Sequence, residues 1–207
     1  MSEVILAENA GFCPGVRAAT ERLARRMERQ IPGERLFTLG HLIHNEDYNR
    51  RLCEAGVTAI SAEELPRVAR EADAAHPATV FIRAHGISRE IRAELEHLTA
   101  AHPDFSFEDC TCPFVSKIHR IAAEKSAAGA QGFVFLCIGS ATHPEVEGFM
   151  SCFEGEKYVF ADAEELEKGL SRIDLSKKTP VMVAQTTQKL TEWKKCQKLL
   201  KNYCTNA

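Results

Sequence analysis

One local pattern repeats along this chain: a short apolar run, a loop of small and polar residues, then a stretch with helical periodicity. Val4-Ile5-Leu6-Ala7 runs into Asn9-Ala10-Gly11-Phe12-Cys13-Pro14-Gly15, and an amphipathic stretch over 16–30 follows. Leu36-Phe37-Thr38-Leu39 leads through Gly40-His41-Leu42-Ile43-His44-Asn45 into a helical stretch ending at Glu54, with 57–60 as a further short strand. Apolar runs at 80–83, 105–107, 133–138 and 181–184 repeat the pattern, and helices are expected over 89–98, up to about 128, and through 200. Such alternation predicts βαβ units with mainly parallel sheets, an α/β fold of repeated α/β domains. Two βα series each present a histidine-bearing loop. They divide the chain near Cys112 into domains at 15–111 and 112–207, behind an N-terminal strand and loop at 1–14.

Composition narrows the function classes. A chain of 207 residues is long enough for one or two domains with a sizeable core. Its 26 Lys and Arg against 29 Asp and Glu give a net charge of −3, the wrong sign for a nucleic-acid-binding face. No apolar run approaches the roughly 20 residues that cross a bilayer, and Met1-Ser2-Glu3-Val4-Ile5-Leu6-Ala7 lacks a basic n-region and a long apolar h-region. The expectation is a cytoplasmic protein without a membrane or nucleic-acid partner.

In parallel sheets ligands bind beyond the carboxyl ends of the strands. That rule turns the pattern into a site map, because Cys13, His44, His85, Cys112, His143, Glu145 and Thr186 all lie just after expected strands. Cys13, in Gly11-Phe12-Cys13-Pro14-Gly15, and Cys112, in Asp109-Cys110-Thr111-Cys112-Pro113, would each open a helix. The dipole there favours thiolate, and Pro at the first helical position costs no hydrogen bond. Two such thiolates converging would suit a soft metal or an iron–sulfur cluster; the bland reading is a pair of strand–helix turns that happen to hold cysteine. No C-x-x-C pair exists among the 8 cysteines, and Cys53, Cys137, Cys152 and Cys196 read as small hydrophobes. His44, His85 and His143 sit beside small or polar neighbours, and together they suit either a zinc ion or a phosphorylated ligand. His41, His76, His97, His102 and His119 read as solvated or structural. Glu145 suits proton delivery, against a plain carboxylate at a helix N-terminus. Thr186, in Gln185-Thr186-Thr187, is an N-cap or the contact of a bound alcohol.

Taken in order, Ala10-Gly11-Phe12-Cys13-Pro14-Gly15-Val16, His44-Asn45, Ala84-His85-Gly86-Ile87-Ser88, Thr111-Cys112-Pro113-Phe114-Val115, His143-Pro144-Glu145-Val146-Glu147-Gly148 and Gln185-Thr186-Thr187 closely resemble the 4-hydroxy-3-methylbut-2-enyl diphosphate reductase family (IspH or LytB). The resemblance implies an iron–sulfur oxidoreductase of isoprenoid biosynthesis by the methylerythritol phosphate pathway. It implies reductive dehydroxylation of an allylic diphosphate to isopentenyl and dimethylallyl diphosphates, with electrons from a donor such as ferredoxin or flavodoxin. By motif match, Cys13 and Cys112 are two of three cysteine ligands of a [4Fe–4S] cluster. His44, His85 and His143 match diphosphate-binding histidines, Glu145 the proton-delivery carboxylate, and Thr186 the threonine that contacts the substrate hydroxyl.

The resemblance also implies three similar α/β domains arranged like a trefoil, with the third cysteine in the last of them. The sequence runs to Tyr203-Cys204-Thr205-Asn206-Ala207, and neither Cys196 nor Cys204 stands in a matching context. The expectation is therefore a chain truncated before the third domain. Cys110 stands where the family commonly has alanine. Two readings compete with the reductase: a non-catalytic diphosphate-binding remnant, and a zinc hydrolase built on the three histidines.

Overall fold

The computed structural model describes residues 4–5 and 10–206. Its first half is built around a parallel sheet of order β2-β1-β3-β4, made of β1 (Arg35–Leu39), β2 (Thr58–Ile60), β3 (Ala78–Ile82) and β4 (Phe105–Asp109). Every residue of the central strand β3 is buried, as expected of a parallel strand covered on both faces. Successive side chains of a strand point to opposite faces. Phe81 therefore packs with Ala19 and Leu23 of α1 (Pro14–Glu28) and Leu52 of α2 (Glu46–Glu54). Val80 and Ile82 face Leu65 and Val68 of α3 (Leu65–Arg70) and Leu95 and Leu98 of α4 (Arg89–Ala101).

The second half repeats this plan with three parallel strands. β5 (Phe133–Ile138) lies between β6 (Glu156–Phe160) and β7 (Thr179–Ala184). Phe135 and Cys137 pack against Ala122 of α5 (Pro113–Ala127) and Val146 and Phe149 of α6 (Pro144–Ser151). Val134, Leu136 and Ile138 pack against Leu166 and Leu170 of α7 (Ala163–Leu170) and Cys196 of α8 (Leu190–Asn206). Two three-layer α/β units with all-parallel sheets result, in agreement with the fold class read from the sequence.

Three elements escape the sequence pattern. α3 is only 6 residues long, while β6 and α7 are rich in charge. The strand Glu156-Lys157-Tyr158-Val159-Phe160 presents no apolar run because it lies at a sheet edge. α7 does carry a start signal, since the Asp162 side chain accepts from the Glu165 amide at 3.0 Å. The strand expected at 4–7 is a correction in part: Val4 and Ile5 adopt no strand conformation and are exposed, and Leu6 and Ala7 lie outside the described residues.

The two units are joined where α5 leaves the first sheet. The Cys112 amide donates to the Ala84 carbonyl at 2.9 Å, so α5, which follows β4, starts against the loop after β3 and then packs on the second sheet. On the same side, the Arg89 amide at the start of α4 donates to Ser151 Oγ at 2.8 Å, and the Arg89 guanidinium pairs with Glu154. The core reading gives a direct expectation. Phe135→Ala should lower stability by about 3–5 kcal/mol in urea unfolding, the cost of deleting a fully buried aromatic ring. Cys137→Ala, which removes one sulfur from the same face of β5, should cost distinctly less in the same assay.

Candidate functional site

Three imidazoles meet where the two units join. His44 lies in the loop after β1, just before Asn45, whose side chain caps α2 by accepting from the Tyr48 amide at 2.8 Å. His85 lies in the loop after β3, followed by Gly86 at φ +74°, a left-handed turn that glycine adopts without strain. His143 is the N-cap of α6. The ring centroids of His44 and His85 are 4.1 Å apart, and each lies 5.5 Å from that of His143. One nitrogen from each ring lies within 4.8 Å of the other two. Two sheets thus contribute to one cluster at the carboxyl ends of their strands.

The hydrogen bonds around this cluster decide what it can hold. His143 Nδ1 accepts from the Glu145 amide at 3.2 Å. In the neutral ring the proton then sits on Nε2, which becomes a donor. His85 Nδ1 is buried without a partner among the described residues, so this ring too is incompletely satisfied. Burial, then the neighbouring His143 and Arg83, holds His44 below the usual histidine range. His85 is pushed down to about 4 by burial, His44, Arg83 and His143. Neutral imidazoles with N–H groups to offer suit an anionic ligand.

Beside His143, Glu145 is 1% exposed. Thr186, just beyond β7, holds both of its oxygens: the Thr186 amide donates to Oε1 at 2.6 Å and the Thr186 hydroxyl to Oε2 at 2.8 Å. Thr186 itself is exposed, and its oxygen keeps lone pairs for a proton from outside. A buried carboxylate and an exposed hydroxyl thus form one hydrogen-bonded pair, tied to the ring cluster through the Glu145 amide and His143.

Cys13 and Cys112 are the N-caps of α1 and α5, each followed by Pro at the first helical position. Neither thiol caps its helix by a hydrogen bond. The two helix starts meet: a Cβ added to Gly15 would lie 2.3 Å from Cys112 Sγ, so the thiol occupies space that only a glycine leaves open. The loop before Cys112 is braced by Asp109, which accepts from the Thr111 amide at 2.8 Å and pairs with Arg92. Burial pushes the Asp109 carboxyl up, but these hydrogen bonds outweigh it and hold the group below the usual carboxylate range. The remaining cysteines divide clearly. Cys110 and Cys137 are buried, and desolvation pushes both thiols up to about 12. Cys196 is buried, Cys53 and Cys204 are exposed, and Cys152 lies 3.5 Å from His119 Nδ1.

His119 is half-buried with its Nε2 sealed from solvent, and desolvation pushes it down to about 4. Sequence reasoning passed over Arg83, whose charge acts on both His44 and His85. The signal was present, because a cation directly ends the apolar run Val80-Phe81-Ile82. Histidines held below 6.5 bind fewer protons folded than unfolded, so stability falls as pH drops from about 6.5 toward 4. The melting temperature should decline over this window, and His85→Gln should make the decline shallower.

A family model described as LytB protein matches residues 4–207. The chain is 37% identical over 188 residues to a 4-hydroxy-3-methylbut-2-enyl diphosphate reductase of Geobacter sp. (strain M21), covering 90% of this chain and 57% of the relative. A protein of the same name from Caldanaerobacter subterraneus subsp. tengcongensis is 34% identical over 165 residues, covering 80% of this chain and 52% of the relative. A solved (E)-4-hydroxy-3-methyl-but-2-enyl diphosphate reductase superposes with a TM-score of 0.70 at 29% identity, over 97% of this chain and 64% of the other. The corresponding reductase from Plasmodium falciparum, at 23% identity and a TM-score of 0.77, shares the fold over 96% of this chain and 56% of its own. The chain thus spans a little over half the length of these curated relatives.

Proposed function

The chain belongs to the LytB family, and from that premise we propose that its site binds an allylic diphosphate and serves its reductive dehydroxylation in isoprenoid biosynthesis. The observation that carries the reading is the hydrogen bond into His143 Nδ1. It leaves Nε2 as a donor that an anion could accept from, in a cluster with two further imidazoles. His44, His85 and His143 would hold the diphosphate through N–H groups. In this reading residues 15–111 and 112–207 act as two domains with the ligand between them.

The chemistry of the donor set fits an iron–sulfur cluster at Cys13 and Cys112. Both are soft thiols at helix N-termini, and Gly15 leaves the Cys112 sulfur its space. When bound, a [4Fe–4S] cluster supplies electrons at low potential. Removing a hydroxyl as water while forming a C–H bond takes up two electrons and two protons, the electrons ultimately from a donor of the ferredoxin or flavodoxin type. The Thr186 hydroxyl, bonded to one Glu145 oxygen, would relay a proton between that carboxyl group and the leaving oxygen. With Glu145 almost fully buried, bulk water has little access to that relay.

The same three rings have the ligand count of a catalytic zinc site, and a zinc hydrolase is the competing reading. A protonated His143 Nε2 and the neighbouring Arg83 cation both disfavour a dication there. Metal analysis after anaerobic reconstitution with iron and sulfide separates these readings and the non-catalytic remnant. Iron with sulfide and broad visible absorption is expected; stoichiometric zinc, or no metal, would count against the reductase. Cys13→Ser and Cys112→Ser should lose the bound iron, while Cys137→Ala retains it. Unchanged iron content in Cys13→Ser removes Cys13 from the ligand set.

A further inference from the structure

We propose that Arg83 is a further anion-binding residue of this site, setting a permanent positive charge against the diphosphate end of the ligand. The inference rests on the diphosphate reading and adds to it a residue outside the histidine cluster. Arg83 follows β3 directly and precedes His85 by two positions. Its Nε reaches back to the Gly86 carbonyl at 3.4 Å, so the side chain folds over the loop that carries His85. On the other side, Nη1 would lie 3.2 Å from a Cβ at Gly40. Gly40, at φ +67°, opens the loop that carries His44. The guanidinium therefore spans the two loops of the first sheet that supply imidazoles.

Arg83 is half-buried, and among the described residues it makes no salt bridge. Glu147 on α6 acts on it only at a distance. Its outer nitrogens Nη1 and Nη2 donate to no protein acceptor there, and neither is sealed from solvent. A guanidinium stays charged at any working pH, and partial burial without a fixed counter-ion is costly unless a ligand supplies the opposite charge. The imidazoles supply hydrogen bonds but, with His44 and His85 held neutral, little charge. A diphosphate is multiply anionic, and the planar fork of a guanidinium matches two of its oxygens.

Calorimetric titration of inorganic pyrophosphate into the 207-residue chain at pH 7.5 and fixed salt tests this. Arg83→Gln and Arg83→Met should each weaken binding by about tenfold or more, the loss of one charge-assisted contact, and Arg83→Lys should recover part of it. Either neutral variant that folds decides the matter. Glu147→Gln should leave the affinity unchanged or raise it. Equal affinity in a folded neutral variant overturns the assignment. So does a Glu147→Gln variant that reproduces the loss, since Arg83 would then serve only as the partner of Glu147. His143→Asn separates the two levels of inference. If it abolishes binding while Arg83→Gln does not, only the Arg83 assignment falls; if the unmodified chain binds no pyrophosphate, the diphosphate reading falls with it.

Discussion

The hydrogen bond from the Cys112 amide to the Ala84 carbonyl ties the loop after β4 to the loop after β3. The rest of the site depends on that tie. It fixes where α5 begins, and α5 carries the second sheet on its inner face through Ala122. α6, packed beside α5, then delivers His143 to the two imidazoles of the first sheet, while the Arg89 contacts to Ser151 and Glu154 stop it from swinging away. Parallel sheets expose their useful loops at the carboxyl ends of the strands. Joining two of them at those ends makes a polar cluster from segments far apart in sequence.

Much of this was legible in the sequence because the central strands β3 and β5 are buried on both faces and so read as unbroken apolar runs. The loops that follow such runs identified His44, His85, Cys112, His143, Glu145 and Thr186 as positions at the strand ends, while Cys13 follows no described strand and stands only at the start of α1. What pattern alone left out has physical causes. β6 lies at a sheet edge, where only Phe160 of its 5 residues is buried and the apolar run disappears. The strand expected at 4–7 had the right composition, yet Val4 and Ile5 are exposed and unpaired, because strand propensity acts only where a neighbouring strand is present. The tautomer of His143 and the cradle at Gly15 are contacts between distant segments, and no local window contains them.

The polar chemistry is divided between the units. The first sheet supplies His44, His85 and Arg83, all near the ends of β1 and β3. The second supplies His143, Glu145 and Thr186, bound into one network by the two hydrogen bonds to the carboxylate. Glu145 is almost fully buried, and among the described residues it pairs with no cation. Its partners are instead the amide and hydroxyl of one threonine, which orient it without neutralising it.

Gly15 carries a consequence for how this chain can vary. Every single-nucleotide missense change at a glycine codon introduces at least a methyl group, and that methyl would arrive 2.3 Å from the Cys112 sulfur. The sulfur ends a short rotatable side chain and can turn aside, and the Cys112 Cβ, 3.2 Å from the added methyl, then has to give only slightly for the helix start to survive. Such a variant would pass a screen for expression or solubility as neutral while its thiol faced the wrong way. At this position a folding assay and a chemical assay would rank the same alleles in different orders.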